Sequence, residues 1–133
     1  MSKGLNYALV NKDLAIILGR GTCTDKHIVI PDEIEEHIVY AIDAYAFAND
    51  DALESVIIAN TVTRIGRDAF KNCKKLKTVT ASENTYLISR GIFSSCSNLE
   101  NITLGSLKQL KTWMDKECFY NSNNIIKIEI KKG

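Results

Sequence analysis

Phe47, Phe70 and Phe93 stand 23 residues apart, and Phe119 follows 26 residues later. Each carries the same apolar frame. Six residues on lie Leu53, Leu76, Leu99 and Ile125; nine on, Val56, Val79, Ile102 and Ile128; eleven on, Ile58, Ala81, Leu104 and Ile130. Five residues before come Ile42, Ile65, Ile88 and Met114, and immediately before come Ala46, Ala69, Ile92 and Cys118. A fixed period of this length marks stacked coils, none of which can bury its apolar face alone. Each coil must then present the same inward shape to the next, and this demand limits the fold more than any other feature.

Spacing within one copy assigns the local structure. The stretches LESVII, LKTVTA, LENITL and IIKIEI alternate and are rich in β-branched residues, which predicts short strands. Around each Phe the rhythm changes: Ala69, Cys73 and Leu76 fall at i, i+4, i+7, which predicts a short helix or 3-10 turn. Asp43, Gly66, Ser89 and Asp115, four residues before each Phe, suit its N-cap. Asn49, Asn72, Ser95 and Asn121, two residues after, suit a left-handed ending. An earlier strand, KHIVIP, joins the register through Ile28 and Ile30, and EEHIV forms an outward bulge in the longer first coil. LNYALVNKDLAIILGRG alternates on either side of Asn11-Lys12-Asp13 and predicts a hairpin that caps the N-terminal end of the stack.

The 133 residues suffice for one domain, and we divide them as a cap over 1–22 and repeat coils over 23–133. Lys+Arg 17 against Asp+Glu 16 leaves no global attraction for nucleic acid or an acidic membrane. No apolar run approaches the ~18 residues of a membrane span. The N-terminal residues MSKGLNYALVNKD lack a secretory signal, so the sequence as written reads as cytoplasmic, or as secreted or surface-exposed if a leader has been removed.

The segments IPDEIEEHIVYAIDAYAF, VTRIGRDAFKNCKKLKTV and SRGIFSSCSNLENITL resemble the BspA-type leucine-rich repeats, with many columns agreeing at one spacing across residues 27 to 130. The leading hairpin also looks like that family's N-terminal piece. The resemblance implies a mainly β, right-handed leucine-rich-repeat solenoid with parallel strands on one face and short helices or 3-10 turns on the other. It also implies protein binding, commonly in adhesion at cell surfaces. The chain departs from the pattern in places. Pro31 alone keeps the family proline, with Ala59, Ser82 and Gly105 in its place elsewhere; Gly66 alone keeps the glycine; and three residues are inserted near SLKQLKTW.

Side chains of catalytic type do not converge in this register. His27 points outward from the first strand and His37 lies on the bulge beside Glu35 and Glu36. Gly19 and Gly21 read as turn residues, because no Lys-Ser/Thr follows them as a phosphate loop needs. Cys73 and Cys96 share a column with Asp50 and Ser122; a ladder of small buried hydrophobes is the reading, with a reactive or disulfide pair as the alternative. Neither enzyme activity, a cofactor nor a metal is expected.

The outward strand positions form the candidate site. One column reads His27, Ser55, Thr78, Asn101, Lys127; the other reads Val29, Ile57, Thr80, Thr103, Glu129. Val29 and Ile57 are then exposed aliphatics on adjacent strands, a patch that suggests contact with a partner protein or cover by the hairpin. Charge is segregated as well: residues 31 to 54 hold eight acids and no Lys or Arg, whereas residues 64 to 77 hold six bases and one acid. Such zones steer a partner, join copies head to tail, or are a solvated face. The basic cluster lacks the interleaved aromatics of a nucleic-acid site. The expected function is non-catalytic protein binding, as an intracellular adaptor or inhibitor or, alternatively, as a surface or secreted adhesion module. The last strand, IIKIEI, leaves an unpaired edge that predicts weak homodimerisation.

Overall fold

The coordinates are a computed structural model, and the structure describes residues 2–132. Strands β1 (Asn6–Leu9) and β2 (Leu14–Gly19) form an antiparallel hairpin. Its tip is closed by the Asn11 side chain, which accepts from the N–H groups of Asp13 and Leu14. Then follow β3 (His27–Val29), β4 (Glu33–Ile34), β5 (His37–Ile42), β6 (Ser55–Ile58), β7 (Arg64–Ile65), β8 (Thr78–Ala81), β9 (Leu87–Ile88), β10 (Asn101–Leu104), helix α1 (Leu107–Asp115) and β11 (Lys127–Ile130).

Two sheets result. Strands β3, β6, β8, β10 and β11 form a five-stranded sheet in the order β11-β10-β8-β6-β3, parallel throughout. Strands β2, β5, β7 and β9 form a second parallel ladder, with β1 and β4 added antiparallel. The stack is a mainly β solenoid, as its repeat demands, but parallel strands occupy two faces where one was expected. The second ladder escapes notice because β7 and β9 are two residues long, too short to display alternation. The bulge at EEHIV is the β4–β5 hairpin, with Glu35 and Glu36 both at positive φ (48° and 65°).

Of the two alternatives expected around each Phe, a short helix or a 3-10 turn, the structure has turns and no helix. Those segments are runs of overlapping turns, and α1 is the one helix among the described residues. Hydrogen bonding explains why. The N–H groups of Tyr45, Phe47 and Asn49 donate to the carbonyls of Arg67, Ala69 and Lys71 in the next coil, at 2.9, 2.7 and 2.8 Å. Those of Ala46, Ala48 and Asp50 turn back to Asp43, Tyr45 and Phe47 at 3.3, 3.1 and 3.2 Å. Alternate donors thus close the turn and join the coils. A helix would spend its donors within its own coil and leave the neighbouring carbonyls unpaired. The pattern needs two left-handed residues per coil: Tyr45 and Asn49, Asp68 and Asn72, Gly91 and Ser95, Glu117 and Asn121, all at positive φ. Asn takes that conformation at the lowest cost among residues with a side chain, which accounts for Asn49, Asn72 and Asn121. Asp43, Gly66 and Ser89 accordingly open turns and cap no helix.

Inside, like residues stack. Phe47 and Phe70 lie 5.1 Å apart at an interplanar angle of 4°, Phe70 and Phe93 5.0 Å at 13°, and Phe93 and Phe119 6.0 Å at 15°. The Ile, Leu and Val columns are buried through the first three copies. Gly66 lies where coils approach closely: a Cβ there would collide with the Ala44 amide nitrogen.

The fourth copy departs from its columns. Met114 was expected inward but is 55% exposed, and Trp113 is fully buried in its stead. The segment that carries the three-residue insertion forms α1, capped by Ser106, whose hydroxyl accepts from the Gln109 N–H at 3.0 Å. The helix changes the phase, so that Trp113 stacks on Phe93 at 5.9 Å and its indole N–H donates to the Thr85 carbonyl at 2.9 Å. Asp115 belongs to the last turn of α1, where its carboxylate accepts from Lys111 at 2.9 Å. Buried Gln109 binds α1 to the preceding coil: its Oε1 accepts from the Gly105 N–H, and its Nε2 donates to the Ser82 and Thr85 carbonyls.

All four cysteines are free and buried. Cys73 donates to the Phe47 carbonyl (3.1 Å), Cys96 to that of Phe70 (3.2 Å), and Ser122 to that of Phe93 (2.8 Å). Their shared column is therefore a row of weak or strong donors that each satisfy the Phe carbonyl of the coil before. The first place in that column, Asp50, is used differently: it holds Arg20 at the foot of the cap hairpin in a two-point pair (2.7 and 3.1 Å). Burial pushes the Cys118 thiol from its ordinary value of 9.0 up to about 12. Above pH 9 the unfolded chain loses this proton first, so stability is expected to fall with rising pH between about 9 and 12 and to be unaffected by this group below. Urea midpoints across that range check it, with Cys118→Ala flattening part of the decline.

Candidate protein-binding face

The register of the five-stranded sheet produces both outward columns. His27, Ser55, Thr78, Asn101 and Lys127 are aligned in one row, and Val29, Ile57, Thr80, Thr103 and Glu129 in another. The reason is the alternation of each strand against buried Ile28, Val56, Val79 and Ile102. His27, Thr78, Asn101 and Lys127 are exposed; Val29, Ser55, Thr80, Thr103 and Glu129 are half-buried; Ile57 is 48% exposed. The His27 ring nitrogen Nδ1 and the Ser55 hydroxyl lie 2.7 Å apart.

The apolar pair is real: Val29 and Ile57 face each other on adjacent strands. The hairpin does not cover them, since β1 and β2 join the other sheet. At the strand edge the Ser2 hydroxyl accepts from the Val29 N–H at 2.9 Å. Ile57 stands between two shallow hollows. One, of about 270 Å³, is lined by Val29, Pro31, Ala59 and Thr61; the other, of about 450 Å³, runs past Thr80 and Thr103 to Lys131.

The charge zones are only partly free. Asp50 is occupied with Arg20, Lys26 lies 4.0 Å from Glu54, and Arg67 pairs with Asp68. The hairpin acids Asp32, Glu33, Glu35 and Glu36 remain exposed, and Tyr7 donates its hydroxyl to Glu35. Lys71, Lys74, Lys75 and Lys77 are exposed on the next coil, on the segment leading into Thr78. Among the described residues no group of three or more His, Cys, Asp or Glu is placed to hold a metal ion. No helix there is long and apolar enough to cross a membrane.

A larger concavity lies elsewhere. A groove of about 810 Å³ runs along the second ladder, between Tyr40, Arg64 and Leu87 on its floor and Thr112 and Lys116 beside α1. Tyr86 and Leu87 are about half exposed there. Its floor was legible in principle. Ile65 and Ile88 point inward, so Arg64 and Leu87 just before them must point outward. Its wall was not legible, because α1 belongs to no repeat column.

Stacked parallel strands, an aromatic spine and turn-rich connections define a leucine-rich-repeat solenoid. The model of the BspA type leucine rich repeat region matches residues 40–133 in six copies, and the chain belongs to this family. Such repeats generally mediate protein–protein interaction and are generally non-enzymatic. No curated protein matches the chain. Among solved structures, it is similar to a leucine-rich cell surface protein from Faecalibacterium prausnitzii, at 22% identity and a TM-score of 0.65, over 98% of this chain and 42% of that one. It is also similar to the leucine-rich repeat protein of T. pallidum, at 23% identity and a TM-score of 0.70, over 97% of this chain and 63% of that one. The chain thus spans about two fifths and under two thirds of the lengths of these proteins, and the likeness is one of fold.

Proposed function

We propose that this chain is a non-catalytic protein-binding module that works through the outer face of its five-stranded sheet, as an intracellular adaptor or inhibitor of a partner protein. Ile57 carries the reading. It is an exposed aliphatic, paired in register with Val29, with a hollow on either side and rows of Ser, Thr and Asn leading away. A contiguous apolar spot inside a polar surround is the usual form of an interaction anchor. The contact residues are His27, Val29, Ser55, Ile57, Thr78, Thr80, Asn101, Thr103, Lys127 and Glu129. The face is held by ladder bonds on every strand, so little ordering entropy is lost when a partner docks. Surface or secreted adhesion is the second reading, favoured by the F. prausnitzii relative, which is described as a cell surface protein. Cap and coils act as one cooperative unit, and the free edge of β11 supports weak self-association.

Capture of interacting proteins from the native host tests the proposal. Ile57→Asp is expected to reduce recovery by on the order of tenfold with an unchanged circular dichroism spectrum. Leu87→Asp, in the groove of the other ladder, should capture as the wild type does. The reverse result moves the site to the groove. Unfolding of Ile57→Asp overturns the outward assignment itself.

A further inference from the structure

Strand β11 pairs with β10 along one edge, and among the described residues nothing pairs with the other. The apolar face behind it is only partly covered. Ile128 is 37% exposed and Ile126 76%, whereas Ile102, aligned with Ile128 one coil earlier, is 1% exposed. The sequence here is Ile126-Lys127-Ile128-Glu129-Ile130, which is symmetric in its isoleucines and antisymmetric in its charges about Ile128. Such a strand is complementary to itself when turned around.

We propose that β11 pairs antiparallel with β11 of a second copy, on a twofold axis through Ile128. This rests on the self-association reading above and adds its register. Lys127 and Lys131 donate their N–H groups to the Glu100 and Leu104 carbonyls of the β10 side. With a period of two, the N–H and C=O groups of Ile128 and Ile130 face the free edge. A twofold at Ile128 lets the two Ile128 residues exchange a pair of hydrogen bonds, and lets each Ile130 N–H reach the other copy's Ile126 carbonyl. On the core face Ile128 meets Ile128 across the axis, and at the rim the 76% exposed Ile126 of each copy meets Ile130 of the other. On the outer face Lys127 of each copy lies opposite Glu129 of the other. Within one copy Glu129 already draws Lys127 and Lys131, at 3.7 and 3.9 Å, so the carboxylate sits in a basic surround that a second Lys127 completes. Moving the axis to Ile126 loses this charge match, and moving it to Ile130 sets Glu129 opposite Lys131 and leaves Lys127 without a carboxylate, so that only the Ile128 axis makes association sensitive to Lys127→Glu. A head-to-tail stack would need the outer edge of β3, where the Val29 N–H is already bonded to Ser2, and would not close.

Sedimentation velocity over a concentration series tests the pairing. The wild type is expected to dimerise. Lys127→Glu and Glu129→Lys each set like charges opposite one another at two places and should weaken self-association by on the order of tenfold. Mixed in equal amounts, the two variants restore opposite charges at both places and should form a heterodimer as tight as the wild type. The double variant with both changes should dimerise alone. A wild type that stays monomeric throughout overturns self-association. Dimers that ignore both single reversals overturn the register and leave self-association standing. Neither result bears on binding at Ile57, which the capture experiment reads separately.

Discussion

Phe70→Ala is expected to cost about 3–5 kcal/mol, enough to remove a large share of a typical ~5–15 kcal/mol of folding stability. The side chain is fully buried and lies between two parallel rings, at 5.1 Å from Phe47 and 5.0 Å from Phe93. Truncation removes both stacked pairs, each worth roughly 0.5–1.5 kcal/mol beyond area burial. It also leaves a void that coils cannot close. The backbone on either side is fixed by the Phe70 N–H bond to the Ile92 carbonyl at 2.8 Å and the Phe47 N–H bond to Ala69 at 2.7 Å, so the rings cannot move together without breaking the ladder. Equilibrium urea denaturation measures the loss, with Tyr120→Ala, a largely exposed aromatic two coils on, expected within about 0.5 kcal/mol of the wild type. If Phe70→Ala is as mild, the aromatic spine is not what holds the coils together.

Trp113→Ala should be of comparable size, about 3–5 kcal/mol, and should loosen α1 in particular. Trp113 is fully buried, lies against both Phe93 and Phe119, and donates its indole N–H to the Thr85 carbonyl. It anchors α1, whose flank supplies Thr112, with Lys116 just beyond, to one side of the groove. Loss of the ring is therefore expected to raise amide exchange in α1 more than in the β3–β6 region. Trp113→Phe keeps the stacking and loses one hydrogen bond, for which about 1 kcal/mol is expected. Met114→Ala, next to it in sequence, changes an exposed side chain and should be nearly neutral. The ordering Trp113 well above Met114 is the measurement that separates the observed helix phase from the one the repeat spacing implies.

That pair of residues shows where sequence reasoning stops. The Phe spacing aligns Met114 with Ile42, Ile65 and Ile88, and nothing in the residues themselves contradicts it. An insertion offers two outcomes, a loop that restores the phase or a helix that changes it. The choice depends on whether Ser106 caps the helix and whether Gln109 finds backbone partners in the preceding coil, and both happen. The turns around the phenylalanines mislead for a related reason. The i, i+4, i+7 spacing is what a helix requires, but the donors there are needed between coils, and that demand exists only once coils are stacked.

The proposed binding face was more accessible. Alternation fixes which residues point outward, and equal coil length aligns them, so both columns follow from the repeat. The covering of that face, the hollows beside Ile57 and the groove under α1 depend on how loops of unequal length meet.

The sequence by itself thus determined the stack, its period, its inward teeth and its outward rows, because a periodic core forces each coil to repeat the contacts of the last. Only the tertiary structure decided the second ladder, the alternating donors of the turns and the phase of Trp113. Each of these is settled by hydrogen bonds between coils, whose partners lie 22 to 28 residues away and leave no mark on local spacing.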